Sequence, residues 1–145
     1  LLYLLRHGDA EENHADGDSA RRLTPKGEKQ ALTAGKALVA MGAKPDACLT
    51  SPKVRAAETA RLACEALELE PEVANELAGG RFDSLALTAG RGDVLLVGHE
   101  PDFSAEVARL TGGRVKLKKG GLAIVDGSTL AALLGQRELA ALASE

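Results

Sequence analysis

Apolar residues fall in this chain in two kinds of pattern, short unbroken runs and longer stretches at helical spacing. Leu1 to Leu5, Ala47 to Thr50 and Val94 to Val97 are unbroken runs, and the last is flanked by Asp93 and Gly98. Continuous runs of this length predict strands buried on both faces, as in a parallel sheet. Between the first two runs, Ala31, Leu32, Gly35, Leu38 and Val39 recur at helical spacing. Thr24 is placed as their N-cap, Pro25 at the first helical position and Gly42 as the stop. Ser51-Pro52 repeats the cap-then-proline signal and predicts a second helix running to about Leu67. That start puts Arg55 in the first turn, beside the carboxyl end of the second strand.

The rest of the chain punctuates this alternation. Asp9 to Arg22 has no periodicity and crowds Asp, Asn, His, Gly and Ser together, the composition of a loop. Leu69 to Val73 predicts a brief edge strand, and Phe82 to Ala89 a short helix. Glu100-Pro101-Asp102 leads into a helix that stops at Gly112-Gly113. Arg114 to Lys119 is basic and partly alternating, and its lysines are either a solvated edge or a greeting for an acidic partner. Leu122 to Val125 and Leu130 to Leu134 predict an antiparallel pair turning at Asp126-Gly127-Ser128, and Arg137 to Ser144 a terminal helix. The expected fold class is α/β, a three-layer sandwich with a mostly parallel central sheet flanked by helices, in one domain over 1–145.

Composition narrows the function classes. With 145 residues the chain is long enough to bury a core without metal or disulfides. Its net charge of -3 argues against a general nucleic-acid or anionic-membrane binder, and the absence of Trp removes a base-stacking platform. Any anion site must be a local concentration of cations. Cys48 and Cys64 lack metal-ligand spacing and are expected to be buried, reduced thiols. No run approaches the length of a membrane span and no cleavable signal precedes the first strand, so a cytoplasmic location is expected. The chain begins at Leu1 rather than methionine, and a few residues before it are expected to be missing.

Candidate chemistry lies after the unbroken runs. Arg6-His7-Gly8 follows the first, Arg55 opens the helix after the second, and His99 follows the third. Ligands in open α/β sheets bind just beyond the carboxyl ends of the strands. Two guanidinium forks suit phosphate oxygens, two imidazoles add a nucleophile, and Gly8 would let backbone N–H groups approach an anion. By itself the tripeptide is equally compatible with a strand ending at the surface. A metal site from His7, His14, His99 and nearby acids is the rival chemistry, but no ligand spacing supports it. His14 is expected to be solvated. No metal and no cofactor are expected.

Arg6-His7-Gly8, Ser51-Pro52 with Arg55 and Thr59, and Gly98-His99, in that order, resemble the histidine phosphatase superfamily, whose fold is phosphoglycerate mutase-like. The Arg-His-Gly-Asp start and Asp18-x-x-Arg21-x-Leu23-Thr24 are most similar to the SixA-type phosphohistidine phosphatases. The resemblance implies a metal-independent phosphatase in which His7 is transiently phosphorylated while Arg6, Arg55 and a protonated His99 hold the phosphoryl oxygens. It carries Asp18 and Arg21 over as pocket-lining residues, Asp18 as an orienter of an arginine. Asn13 matches an asparagine that mutases use on phosphate, and Glu76 is the nearest match to their acid. The short interval from Leu67 to Asp93 implies an open site and hence a phosphorylated protein as partner, such as a histidine phosphotransfer protein. A small-molecule phosphomonoesterase or mutase and a non-catalytic phosphate-binding adaptor are the alternatives.

Overall fold

The computed structural model describes residues 1–144. Six strands form one sheet, β1 (Leu2–Arg6), β2 (Ala47–Thr50), β3 (Pro71–Val73), β4 (Val94–Gly98), β5 (Leu122–Asp126) and β6 (Thr129–Leu134), in the order β3-β2-β4-β1-β5-β6. The first four in that order run parallel, and β5 and β6 are antiparallel additions at one edge. The sheet is thus mostly parallel, as its unbroken apolar runs predicted.

Helices cover both faces. Residues alternate sides along a strand, so Tyr3 and Leu5 pack with Leu95 and Val97 against α1 (Pro25–Ala40), α2 (Val54–Leu67) and α5 (Gln136–Ala143). Leu2 and Leu4 pack with Val94 and Leu96 on the other side, against α4 (Asp102–Thr111) through Phe103 and Val107. The short α3 (Ser84–Thr88) is capped by the Asp83 carboxylate. Leu4, Leu5, Leu95 and Leu96 are fully buried. Each such side chain contributes roughly 1.5–3 kcal/mol, so β1 and β4 are the anchored centre from which the site residues project. Among the described residues no helix is long and apolar enough to cross a membrane.

Two expectations need correction. The second helix begins at Val54, with Lys53 rather than Ser51 at its N-cap: Pro52 lies in a bend, and the Ser51 hydroxyl accepts from the Lys53 N–H ahead of the helix. Arg114 to Lys119 is not an edge strand. It is an irregular strap whose basic side chains are exposed while Leu117 between them is buried, and its backbone is tied to the site. Cys48 and Cys64 are buried free thiols, as expected, and lie in one core cluster.

A core poor in aromatic residues is closed by bringing α1 and α2 together on small residues, Ala34, Ala37, Ala60 and Ala63. Gly35 marks the tightest point, since a Cβ there would lie 2.3 Å from the Ala63 carbonyl oxygen. Alanine is the better helix former by about 1 kcal/mol, yet Gly35→Ala is expected to destabilise the protein by roughly 1–3 kcal/mol through overpacking. Urea unfolding of the variant checks this; a midpoint at or above that of the wild type would show that the helices separate freely.

Candidate active site

Register places the two histidines together. Arg6 pairs with Gly98 across β1 and β4, so His7 and His99 are each the next residue out. Their rings lie 5.2 Å apart at 58°. Thr50 pairs with Val97 on the other side of β4, which puts Ser51 beside the same point. The Ser51 hydroxyl lies 2.8 Å from His99 Nε2. Its own N–H donates to the Val97 carbonyl at 3.0 Å.

His7 is held in one tautomer. Its Nδ1 lies 2.7 Å from the Gly8 carbonyl oxygen. A carbonyl only accepts, so Nδ1 carries the proton and Nε2 of the neutral ring keeps a lone pair. Gly8 is in turn fixed from α2: its N–H donates to Thr59 Oγ1 at 3.1 Å, and the Thr59 hydroxyl donates to the Arg55 carbonyl at 2.7 Å. The loop also runs against the start of α1, where a Cβ on Gly8 would lie 2.6 Å from the Gly27 carbonyl oxygen. Gly8 is therefore required by close packing, and its amide is spent on Thr59 and not open to an anion.

Cations surround the imidazoles. A pocket of about 290 Å³ is lined by Arg6, Arg21, Lys53, Arg55 and Lys119 with His7 and His99, and by Gly79, Glu100 and Asp102. Arg55 donates to the Asp18 backbone carbonyl at 2.9 Å and to its carboxylate at 3.3 Å. The same carboxylate accepts from Arg21 at 3.0 Å and lies 3.7 Å from Lys53 Nζ. Asp18 thus gathers three cations, and the hydrogen bond from Arg21, with the charge of Arg55 behind it, holds its carboxyl below the usual range. Arg6 reaches the strap, donating from Nη1 to the Leu117 carbonyl at 3.0 Å. Lys119 bonds to Asp9 at 2.9 Å.

The structure brings together Arg6, His7, Arg55, His99 and Arg21, with Asp18 orienting Arg55. It does not bring in Asn13, which is exposed in the loop after β1, nor Glu76, which is exposed on a 3-10 turn whose buried residue is Leu77. Glu76 lines the neighbouring cleft of Gly79 and Phe82 instead. His14 accepts a hydrogen bond from the Asp16 N–H, outside the pocket. Ser51, Lys53, Glu100, Asp102 and Lys119 were not read as site residues. Position next to an assigned motif residue was the available signal for Ser51, Lys53 and Glu100; Lys119 had none beyond its basic run.

Both histidines are neutral at neutral pH in the free protein; the protonated His99 that the resemblance implies belongs to a site holding a phosphoryl group. Burial above all, with Arg55, Arg6 and Arg21 adding to it, pulls His7 down to about 4 despite its bond to Gly8. Burial again, then His7, Arg55 and Lys53, pulls His99 down to about 3. Two buried nitrogens, His99 Nδ1 and Arg6 Nε, have no hydrogen-bond partner among the described residues. Unpaired buried donors are costly. An oxyanion in this pocket would supply acceptors as well as opposite charge, so the donor set fits a phosphoryl group. Among the described residues no cluster of three or more His, Cys, Asp or Glu is disposed to hold a metal.

These depressed values link pH to stability. Between the ordinary histidine value of 6.5 and the folded values of about 4 and about 3, the unfolded chain takes up protons that the folded chain refuses. Stability is therefore full above 6.5 and is lost as the pH falls through that window. Thermal unfolding is expected to show a falling Tm between pH 6.5 and 4, with a smaller fall in His99→Gln. An equal fall in the variant would mean that His99 is not a buried neutral group.

Comparison with known proteins agrees with this geometry. The family model described as "Histidine phosphatase superfamily (branch 1)" matches residues 2–91. An uncharacterized protein of Picosynechococcus sp. is 37% identical over 136 residues, 83% of this chain and 81% of its own length. A phosphohistidine phosphatase SixA homolog of Haemophilus influenzae is 35% identical over 129 residues, 78% of each chain. Among solved structures, the protein histidine phosphatase SixA complexed with tungstate is similar with a TM-score of 0.82 and 27% identity, covering 95% of this chain and 98% of its own. A phosphoglycerate mutase of Sphingopyxis alaskensis is 41% identical over 69 residues, but these are only 30% of its length. The paired imidazoles, the cations around them and the match along the chain have one conclusion: this chain belongs to the histidine phosphatase superfamily and is SixA-like.

Proposed function

We propose that this protein removes the phosphoryl group from a phosphorylated histidine on another protein, by way of a phosphohistidine formed on its own His7. The observation that carries the proposal is the bond from His7 Nδ1 to Gly8, which leaves a lone pair on Nε2 inside a ring of cations. Nε2 attacks phosphorus in line, a new N–P bond forms, and the bond from phosphorus to the substrate imidazole breaks. Arg6 and Arg55 hold the oxygens whose charge the transfer redistributes, with Arg21 and Lys53 behind them. The incoming dianion favours a proton on His99, which then donates to it. Water next attacks the phosphoenzyme, releasing inorganic phosphate and restoring neutral His7.

Leaving-group chemistry supports histidine over an alcohol. An imidazole leaves from phosphorus as the neutral ring once its other nitrogen, which titrates near neutral pH, has taken a proton from water, whereas an alkoxide needs an acid from the enzyme. Glu76 is outside the pocket. Glu100 accepts from the N–H groups of Ser104 and Leu117 and from the Ser104 hydroxyl, and Asp102 accepts from Gly80. Both oxygens of Glu100 are thus acceptors already in use. Openness points the same way, since from the interval between Leu67 and Asp93 only Gly79 lines the pocket. The SixA relative named above was solved with tungstate, a tetrahedral oxyanion of phosphate's shape.

His7→Ala is expected to abolish turnover and the labelled phosphoenzyme, which in the wild type should survive alkali and be lost in acid. Arg55→Ala should lower kcat roughly 10²–10³-fold. Asp18→Asn should cost less, because the backbone carbonyl that Arg55 also uses remains. A substrate panel tests the substrate class: faster hydrolysis of a glycerate phosphate than of a phosphohistidine protein would remove the protein substrate and leave the phosphatase. Activity is expected to survive a chelator, and restoration of lost activity by a divalent ion would count against metal-free chemistry.

A further inference from the structure

A second and larger cavity, about 640 Å³, opens beside the phosphoryl pocket, and Arg6 and Lys119 line both. It lies between the start of α1, the strap and the start of α5, and its remaining cations are Lys26, Lys118 and Arg137. These three are exposed, and among the described residues none has a carboxylate within ion-pair distance. The two acids of the cavity are already engaged. Asp9 binds Lys119 at 2.9 Å and the Thr24 hydroxyl at 2.8 Å, and Glu138 accepts from the Gly135 N–H at 2.9 Å. A chain whose net charge is -3 therefore displays, next door to its phosphoryl pocket, a cavity rim whose cations outnumber its acids and include three without an ion-pair partner among the described residues.

We infer that this groove is a docking site for an acidic stretch of the protein substrate, seated while the neighbouring phosphoryl group enters the pocket of His7. The inference presupposes the protein substrate proposed above. A small metabolite is the poorer occupant, because tight small-molecule sites enclose most of their ligand between convergent groups. Exposed lysines on an open rim instead act on a partner's surface charge, steering its approach and setting its register. Lys119 joins the two sites: its Asp9 partner can be exchanged for an acid of the substrate without leaving the ammonium unpaired.

Two phosphohistidine decapeptides, one flanked by glutamates and one by glutamines, test the groove together with a fluorescent unphosphorylated glutamate decapeptide that reports binding alone. The wild type is expected to favour the glutamate-flanked substrate about tenfold in kcat/KM, the scale of three exposed ion pairs, and to lose the preference with rising salt. Lys26→Glu/Lys118→Glu/Arg137→Glu should abolish the preference and the binding, leave the glutamine-flanked rate unchanged, and gain activity on a lysine-flanked peptide. That gain could not come from misfolding. Equal rates on the glutamate and glutamine peptides, or a preference that survives the triple change, would overturn the groove. If neither phosphohistidine peptide is hydrolysed while the glutamate decapeptide binds the wild type and not the triple variant, the groove stands and the phosphohistidine substrate falls.

Discussion

Like charges crowded over the end of a sheet repel one another, and the active end of this protein holds Arg6, Arg21, Lys53, Arg55 and Lys119 around two buried rings. The arrangement depends on a small number of acceptors that keep each cation in place without neutralising the whole. Asp18 serves Arg21, Arg55 and Lys53 at once, Asp9 takes Lys119, and the Leu117 carbonyl takes Arg6. Because Asp18 is more than half exposed, its pairs with the cations are screened and its own contribution to stability is small. What it fixes is direction: guanidiniums that would swing into solvent are aimed inward. Burial above all, with the positive field left over adding to it, keeps His7 and His99 neutral, so the cations that suit an oxyanion also help leave the imidazoles uncharged.

The irregular strap from Arg114 to Lys119 belongs to this arrangement. Leu117 is buried, and its peptide groups are gripped on both sides, the carbonyl by Arg6 and the N–H by Glu100. Farther along, Gly120 donates to the His7 carbonyl at 3.0 Å and Arg6 donates through its backbone to Gly121 at 2.9 Å. His7 and its neighbour Arg6 are thereby bound to a segment more than a hundred positions away, which then continues into β5. Lys119 ends up at the mouth of the site because the strap's backbone is needed beneath it.

Much of this was legible along the chain. Unbroken apolar runs foretold the strands, because a strand covered on both faces has no polar position. The Thr24-Pro25 start of α1 was readable because capping is local: the Thr24 hydroxyl accepts from the Gly27 N–H three residues on. Arg6, His7, Arg55 and His99 were legible for the same reason, each standing at a fixed offset from a strand that its neighbours announced. Ser51 misled because its hydroxyl serves two partners, the Lys53 N–H just ahead of the helix and a histidine 48 positions away, and local spacing shows only the first.

Amino-acid order by itself determined which segments are buried strands, which residues stand at their ends, and hence the kind of chemistry available. Tertiary structure decided which of those residues meet. Asn13 and Glu76 stayed outside while Lys53, Glu100 and Lys119 came in, since side-chain direction in turns and loops follows long-range hydrogen bonds and not sequence spacing. Protonation was decided there too: an imidazole titrates near 6.5 in the open chain, and only burial among guanidiniums brings His7 to about 4.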